Sequence, residues 1–390
     1  MRSHRVNSAD AGAALRVIPV QGRRAVRRFV QMPGAVLADD PAWVAPLVLE
    51  RMQHLDPARN PYFTEAEAAF WIAQRGERPV GRISAQVDRT SLARYPDIGH
   101  FGFFDVEDSS ETTAALLGAA EAWLSDRGMK RVRGPFSLSI NDESGVLVDG
   151  FDAPPSLMMG HARPWYGQRL EEQGYAKARD LIAYRFDLER HSLPKSAESL
   201  VARLAEDPSI EVRAIRMADY GQELRRILEV FNDAWSENWG FVPFTDRAID
   251  RTAKDLKPII REELVCIAEV NGEPAAFGVG LPNLNEAIAD LHGSLLPFGW
   301  ARLLFRLKAG RIRSGRLPLM GVRRKYHGTF LGAALAWTVI DRLHRAFARL
   351  GFREAELSWI LEDNLPMRRM IEATGAEAYK TYRVYEKALA

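Results

Sequence analysis

The stretch Gly321–Leu335 combines residue types that suit the binding of a phosphate or pyrophosphate. Alternating apolar residues lead into a basic turn, and His327-Gly-Thr-Phe-Leu-Gly332 then opens a helix with an apolar face. The first N–H groups of a helix lack backbone partners and carry partial positive charge, so an anion binds there when small residues let it approach. The sequence therefore predicts a strand, a turn and a helix that hold an anion. A connection with incidental glycines is the alternative interpretation.

The same spacing resembles the acyl-CoA loop of the GCN5-related N-acetyltransferases (GNATs). Val322 precedes His327-Gly328-x-x-x-Gly332, where the family usually has Val and then Arg/Gln-Gly-x-Gly-x-Gly or Ala. Two residues depart from that form, since His327 replaces the first polar residue and Phe330 the middle glycine. The resemblance implies acyl-CoA as co-substrate, bound by Val322, Arg323, Arg324, His327, Gly328, Thr329, Phe330, Leu331, Gly332 and Ala333.

Residues after the predicted helix extend the resemblance. Glu354–Ile360 has the composition of a strand, and Asn364 lies 11 residues before Gly375, as in the GNAT segment Asn-x-x-Ala…Gly-Phe. The match implies that Asn364 joins the cofactor site. Many family members carry a tyrosine that protonates the leaving thiolate where this chain has Ile371, so the usual general acid is missing from its usual place.

Acyl transfer to an amine also requires a group that accepts a proton. An ammonium group with a pKa of about 10 is mostly charged at neutral pH, so a nearby carboxylate would assist the reaction. Glu362 is the predicted base, although it could instead stabilise a helix N-terminus. Tyr382 is the predicted substitute for the missing acid, with core packing as the alternative.

Other polar segments are candidates for acceptor binding. Asn238-Trp239-Gly-Phe241 stands at the position of the GNAT substrate-binding loop. Asn141 and Glu143 belong to a polar cluster that either faces the substrate cleft or caps a loop. The eight histidines show no metal-ligand spacing, so no metal is predicted. Without a Gly-x-Ser-x-Gly elbow, direct transfer is favoured over an acyl-enzyme.

The composition limits the class of protein. A chain of 390 residues with 47% hydrophobic and 27% charged residues is typical of a two-domain globular protein. The net charge of +2 gives no general argument for nucleic acid. Cys266 is the single cysteine, which fits a reducing compartment, and the sequence has neither a secretory signal pattern nor a spanning apolar run. These features predict a cytoplasmic protein.

The order of predicted elements repeats. Each half has a strand, a helix, a hairpin, a strand and a helix, and ends with a helix that stops at Gly174 or Gly375 before a last strand. The resemblance implies an α/β fold with mixed sheets, built as two pseudo-symmetric GNAT-like domains at 15–190 and 195–390 after a tail at 1–14. The first half has the acidic run Asp105–Glu111 in place of the loop, which would repel pyrophosphate.

A basic aromatic insert at 292–318 precedes the predicted loop. No acidic residue lies between Asp290 and Asp341, whereas nine lysines and arginines do. Leu295–Lys308 can form a helix with Trp300, Leu303, Leu304 and Leu307 on one side, which predicts association with the cytoplasmic membrane surface and a lipid-gating role for Trp300. A core helix with a solvated charged face is one alternative. Nucleic-acid binding is another, but it lacks accompanying motifs and is not expected.

Further stretches resemble a narrower group of bacterial tandem-GNAT proteins that includes the ceramide synthases. They include Asp40–Val44, Asn141–Gly145, Asn238–Pro243 and Ser358–Asn364. The resemblance implies transfer of a fatty acyl group from CoA to the amine of a sphingoid base. An N-acetyltransferase of a small soluble amine is one alternative, and a non-catalytic acyl-CoA-binding protein at the membrane surface is the other. The sequence leaves open the acyl-chain length and whether the protein is a monomer or a homodimer.

Overall fold

The computed structural model describes residues 13–389, which form two compact units. The first unit contains the chain up to Asp180, the segment Leu291–Leu295 and the chain from Thr381 onward. The second contains Leu181–Asp290 and Leu296–Lys380. Residues 1–12 of the predicted tail lie outside the described residues.

Strands and helices alternate along both halves of the chain. The first half contains, in order, β1 (Leu15–Pro19), α1 (Gly22–Gln31), α2 (Gly34–Leu37), α3 (Val48–His54), α4 (Tyr62–Glu65), β2 (Ala66–Arg75), β3 (Arg78–Asp88), α5 (Arg89–Leu92), β4 (Ile98–Val106), α6 (Ser110–Ser125), β5 (Arg131–Gly134), β6 (Val146–Asp149), α7 (Trp165–Glu172) and β7 (Ala176–Asp187). The second half contains α8 (Lys195–Ala205), β8 (Ile210–Ala214), α9 (Tyr220–Ala234), α10 (Asp246–Leu256), β9 (Val265–Val270), β10 (Glu273–Pro282), α11 (Leu284–Ile288), α12 (Gly299–Lys308), β11 (Ser314–Val322), α13 (Phe330–Arg349), β12 (Glu354–Leu361), α14 (Leu365–Ala373) and β13 (Glu377–Ala388).

The two units contain the same sequence of strand pairings. In the first, β1 to β4 pair antiparallel in chain order, β4 pairs parallel with β5, and β5 pairs antiparallel with the end of β13. In the second, β8 to β11 pair antiparallel in chain order, β11 pairs parallel with β12, and β12 pairs antiparallel with β7 from Leu181 to Asp187. Each parallel pair is joined by a long helix, α6 or α13. The duplicated α/β architecture predicted from the order of elements is therefore present.

The division of the chain differs from the predicted boundaries, 15–190 and 195–390. It falls inside β7, at Asp180, and again inside β13, at Lys380. Strand pairing is the reason: the end of β7 pairs with β12 in the second unit, and the end of β13 pairs with β5 and β6 in the first.

Helix α13 lies close against the sheet of the second unit. A Cβ atom on Gly315 would lie 2.3 Å from the Phe347 ring, and one on Gly278 would lie 2.6 Å from Leu343. Both glycines therefore remove side chains that would hold the helix away from the strands. The apolar face of α13 is buried through Leu335, Val339, Leu343 and Phe347, as its spacing predicts.

The predicted start of one helix needs correction. Helix α12 begins at Gly299, four residues after the predicted start, because Pro297 disfavours the helical conformation at Leu296, the residue before it. The apolar cluster predicted on one side of this helix is divided by burial: Leu303 and Leu307 pack on the core, whereas Trp300 and Leu304 are exposed.

Candidate functional site

A cavity of about 790 Å³ lies in the second unit, where β11 and β12 separate. The two parallel strands are in register from Ser314 and Glu354 to Leu317 and Leu357, where their pairing ends. A bulge follows at once in β11, since Leu317 and Pro318 face the single residue Gly280 of β10. Bulges bend the strand that carries them, and a proline has no N–H for a ladder hydrogen bond. The sequence of β11 thus explains why the strands diverge.

The turn between β11 and α13 forms one wall of the cavity. Gly328 has a φ of +71°, a conformation that side chains rarely adopt. The Thr329 hydroxyl caps α13 by accepting the Gly332 N–H at 3.0 Å and donates to the Tyr326 carbonyl at 2.7 Å. A Cβ atom on Gly332 would lie 2.1 Å from that same carbonyl oxygen. Both glycines are therefore required by the shape of the turn, which opens the N-terminus of α13 to the cavity.

The basic residues of this turn already have partners. Each is held by an acidic side chain or a carbonyl group: Arg324 by Glu237, Lys325 by Glu273 at 3.0 Å and Arg323 by the Pro274 carbonyl at 2.6 Å. Exposed ion pairs contribute only roughly 0–1 kcal/mol each to stability. The phosphates of a bound ligand could therefore replace the acidic partners of these basic residues. Neither Arg323 nor Arg324 lines the cavity.

Two unusual residues of the predicted loop have local roles. The His327 Nε2 atom donates to the Val322 carbonyl at 2.7 Å, so the ring braces the turn. Phe330 is 62% exposed, and the Arg203 guanidinium lies 5.6 Å from the centre of its ring. Phe330 and its neighbour Leu331 do not line the cavity.

Beyond the turn, the cavity continues between α13 and α14 to an apolar end. Its walls there are formed by inward side chains of the two helices: Ala336, Ile340, Leu343, Phe347, Met367, Met370 and Ile371. His344 also lines this part, and its ring packs at 5.3 Å against that of Phe186. The lining is thus mostly hydrocarbon, with few polar groups.

The other end of the cavity is aromatic. Trp235, Asn238, Trp239 and Trp359 line it, and the Trp235 indole donates to the Met320 carbonyl at 3.0 Å. The Trp235 and Trp359 rings pack edge to face at 6.0 Å. Phe241, predicted to bind substrate, is buried and packs on Phe231 at 5.8 Å instead of lining the cavity.

The predicted catalytic and acceptor residues are dispersed. Glu362 does not line the cavity, although its neighbour Asn364 does and caps α14 by accepting the Met367 N–H at 3.3 Å. Tyr382 is fully buried and belongs to the first unit. Asn141 and Glu143 also belong to that unit, and Glu143 pairs with Arg51 at 2.8 Å. Trp300 is 54% exposed on α12 and lies outside the lining.

The cavity therefore brings together only part of the predicted set. The predicted residues that line it are Val322, His327, Gly328, Thr329, Gly332, Ala333, Asn364, Asn238 and Trp239. Those outside the lining are Arg323, Arg324, Phe330, Leu331, Phe241, Trp300, Glu362, Tyr382, Asn141 and Glu143.

A buried polar cluster beside the cavity was missed from the sequence. The Ser358 hydroxyl donates to Glu356 and accepts from the Arg316 Nε atom at 2.9 Å, and the Tyr379 hydroxyl donates to the second Glu356 oxygen. Burial lowers the pKa of nearby Lys380 to about 8. The available signal was polar residues at alternate positions of otherwise apolar strands, which place Glu356 and Ser358 on one face.

Two close relatives by sequence match almost the whole chain. Protein YghO of Escherichia coli (strain K12) is 43% identical over 365 residues, which is 93% of each chain. The bacterial ceramide synthase of Caulobacter vibrioides (strain NA1000 / CB15N) is 46% identical over 384 residues, 97% of this chain and 99% of its own. The chain belongs to the bacterial ceramide synthase family. The chain is an acyltransferase, and the resemblance found in the sequence motifs is confirmed.

Solved structures agree on the fold of the family. A tandem GNAT protein from the clavulanic acid biosynthesis pathway has a TM-score of 0.56 at 14% identity, covering 97% of this chain and 99% of its own. A GNAT from Sphaerobacter thermophilus has a TM-score of 0.53 at 16% identity, covering 96% of both chains. A scan against protein-family models found no match.

Residues 13–389 contain neither a metal-binding cluster nor a membrane-spanning helix. No group of three or more His, Cys, Asp or Glu side chains in this range could hold a metal ion. No helix in the same range has the length and hydropathy needed to span a bilayer.

Proposed function

We propose that this chain transfers a fatty acyl group from acyl-CoA to the amine of a sphingoid base. The observation that carries the proposal is the lining of the cavity, which joins a helix N-terminus, a gap between two strands and an apolar end. A cavity of about 790 Å³ is large enough for an extended ligand. An acetyl group is too small to fill the apolar part of the cavity between α13 and α14.

The second unit supplies the proposed acyl-CoA site. The opening turn of α13 offers N–H groups and the positive end of a 20-residue helix to the pyrophosphate. The gap between β11 and β12 would receive the pantetheine arm, whose amides can bond to strand groups left by the diverging ladder. In the first unit, Glu107 precedes α6 and Glu111 lies in its first turn. Both pair with Arg75, so the equivalent turn is acidic. We therefore assign cofactor binding to the second unit alone.

The apolar end of the cavity is the proposed site of the fatty acyl chain. Ala336 leaves room beside the larger Ile340 and Leu343, and Ile371 stands where many GNATs have a polar tyrosine. Burial of each methylene group contributes about 0.8 kcal/mol, so such a lining would favour long chains strongly. The aromatic end, with Trp235, Trp239 and Trp359, is the proposed entry for the acceptor amine.

The surface around α12 supports contact with a membrane, the source of a lipid acceptor. Five large apolar side chains there are 45% to 78% exposed: Leu296, Phe298, Trp300, Leu304 and Phe305. Arg302 and Arg306 pair with Asp290, and these arginines lower the pKa of that carboxyl to about 2. Lys308 and Arg311 add positive charge on the same segment. Aromatic and leucine side chains beside basic groups suit an anionic lipid interface.

The direct test is an acyl-transfer assay with the full chain. Sphinganine or 3-ketosphinganine, combined with acyl-CoAs of graded chain length, is expected to yield an N-acylated lipid and free CoA. Transfer only to soluble amines, with acetyl-CoA preferred, would contradict the proposal and indicate a small-molecule N-acetyltransferase. Tight acyl-CoA binding without transfer to any amine would instead indicate a binding protein.

A further inference from the structure

We propose that Ser358 is the catalytic residue that takes the proton from the acceptor amine, with Glu356 behind it as a positioning residue that receives the relayed proton. The proposal rests on the acyl-transfer function above and adds a site to it. Neither residue was among the candidates drawn from the motifs, and Glu362, the predicted base, lies outside the cavity lining.

The first support is the position of Ser358. It lines the cavity one residue after Leu357, the last position of β12 that is paired with β11. A reactive carbonyl held in the gap between these strands would therefore lie beside it. The residue is 1% exposed, so bulk water has little access to its hydroxyl.

The second support is the side of the sheet on which the pair lies. Gly315 faces Phe347 of α13, and side chains alternate along a strand, so Arg316 faces away from α13. Glu356 is the register partner of Arg316 and shares that face. The helix that offers the anion site and the carboxylate thus lie on opposite sides of the sheet. A thioester entering from the α13 side could meet an amine entering from the other side.

The third support is hydrogen-bond geometry. A hydroxyl has one donor and two acceptor positions. Ser358 donates to Glu356 and accepts from Arg316, whose Nη2 atom also donates to the Ser358 carbonyl at 3.2 Å. The Ser358 side chain is therefore held in one orientation, and its second lone pair is the position at which an amine N–H would be accepted.

The reaction balances without another co-reactant. The neutral amine attacks the thioester carbonyl and forms the C–N bond, while its proton passes to Ser358 and the serine proton passes to Glu356. The carbonyl re-forms as the C–S bond breaks. The proton on Glu356 returns through Ser358 to the thiolate, which leaves as free CoA thiol. One relay thus performs both proton transfers, and no tyrosine is needed at Ile371.

Charged or titratable groups face Glu356 from three strands. They are Arg316 on β11, Arg185 on β7, and Tyr379 and Lys380 on β13, with Arg185 lying 4.5 Å from the Tyr379 ring. Positive neighbours oppose protonation of a carboxylate. Burial lowers the pKa of Lys380 to about 8, so its charge is lost more readily than that of an ordinary lysine.

The test compares Ser358→Ala and Glu356→Gln with a matched control, Ser84→Ala. Ser84 is also buried in a strand, and its hydroxyl donates to Gln86, two residues away, at 3.0 Å. We expect Ser358→Ala and Glu356→Gln to lower kcat/KM by about 10²- to 10⁴-fold, the usual range for general acid–base catalysis. Acyl-CoA affinity should be unchanged in both variants, and the control should keep the kcat/KM of wild type.

Comparing acceptors of different basicity distinguishes a loss of proton transfer from a loss of folding. An aminooxy analogue of the acceptor forms a far more acidic cationic adduct, so its proton needs less assistance, and the loss in both variants should shrink. In both variants, kcat/KM should also depend less on pH than it does in wild type. Activity of Ser358→Ala equal to the control, or an equal loss for both acceptors with weakened acyl-CoA binding, would overturn the proposal. If wild type transfers to no amine, the proposed function itself fails.

Discussion

Leu317 and Leu357 form the last paired register of β11 and β12, and the candidate site begins where that pairing ends. Up to this point the two strands are an ordinary parallel pair with a helix packed across them. Beyond it, the bulge at Leu317 and Pro318 turns β11 away, and the peptide groups of both strands become available to a ligand. A single local irregularity thus converts a sheet that has a structural role into a binding cleft.

A substitution at Ala333 can test anion binding without straining the backbone of the turn. It is exposed in the first turn of α13 and lines the cavity. In Ala333→Glu the new carboxylate should stabilise the helix N-terminus by about 0.3–1 kcal/mol but repel the CoA pyrophosphate. We expect acyl-CoA affinity to fall at least tenfold with an unchanged or higher Tm. Ala333→Gln is the control of equal size, and equal binding by both variants would contradict the assignment.

Ala336 is the residue at which the length of the acyl chain can be tested. It is 5% exposed and lines the cavity from α13. Ala336→Leu should fill space in the apolar end, so kcat/KM for long-chain acyl-CoAs should fall while that for short-chain acyl-CoAs is retained. Each methylene group displaced costs about 0.8 kcal/mol, or roughly fourfold. A uniform loss for all chain lengths would show that the acyl chain lies elsewhere.

Thr329 links the stability of α13 to the shape of the turn. Its hydroxyl caps the helix, so Thr329→Ala should lower the free energy of unfolding by about 0.5–2 kcal/mol. Thr329→Ser keeps the hydroxyl and should retain both stability and acyl-CoA binding. Chemical denaturation of the three proteins measures the difference. A serine variant as unstable as the alanine variant would assign the effect to the lost methyl group.

The motifs identified the turn but could not identify the residues that surround it. Thr329 and Gly332 were found because their types and spacing are local properties of the chain. Glu356 and Ser358 were passed over because their partners, Arg316 and Tyr379, come from other strands and become neighbours only through register. Tyr382 was misplaced for the same reason, since strand composition does not tell which unit the end of β13 joins. On α12, spacing grouped Leu303 with Leu304, although only Leu303 packs against the core.

Lys380 should impose a pH dependence on stability. Its pKa is about 8 in the folded protein and near 10.5 when exposed, so the unfolded chain binds more protons between these values. Stability contributed by this group should therefore rise as the pH increases from about 8 to 10.5. In Lys380→Met that contribution is absent. The free energy of unfolding of wild type minus that of the variant should increase across this window, and a constant difference would contradict the lowered pKa.

The exposed side chains around α12 allow the membrane proposal to be separated from catalysis. Replacing Phe298, Trp300 and Phe305 together by Ser removes apolar surface that is 54% to 73% exposed, so folding should be little affected. We expect the variant to lose flotation with vesicles of phosphatidylglycerol and phosphatidylethanolamine. Leu49→Ser is the control, since Leu49 is 58% exposed on α3.

The same variant should retain transfer to an acceptor presented in detergent micelles and lose transfer to an acceptor embedded in vesicles, because only the second reaction requires docking on a bilayer. Vesicles without anionic lipid should weaken binding of wild type, since each basic group near an anionic surface contributes about 1 kcal/mol. Unchanged flotation of the triple variant would show that α12 is not the membrane contact. Equal losses in micelles and vesicles would indicate that these side chains support the cavity rather than the docking of the protein.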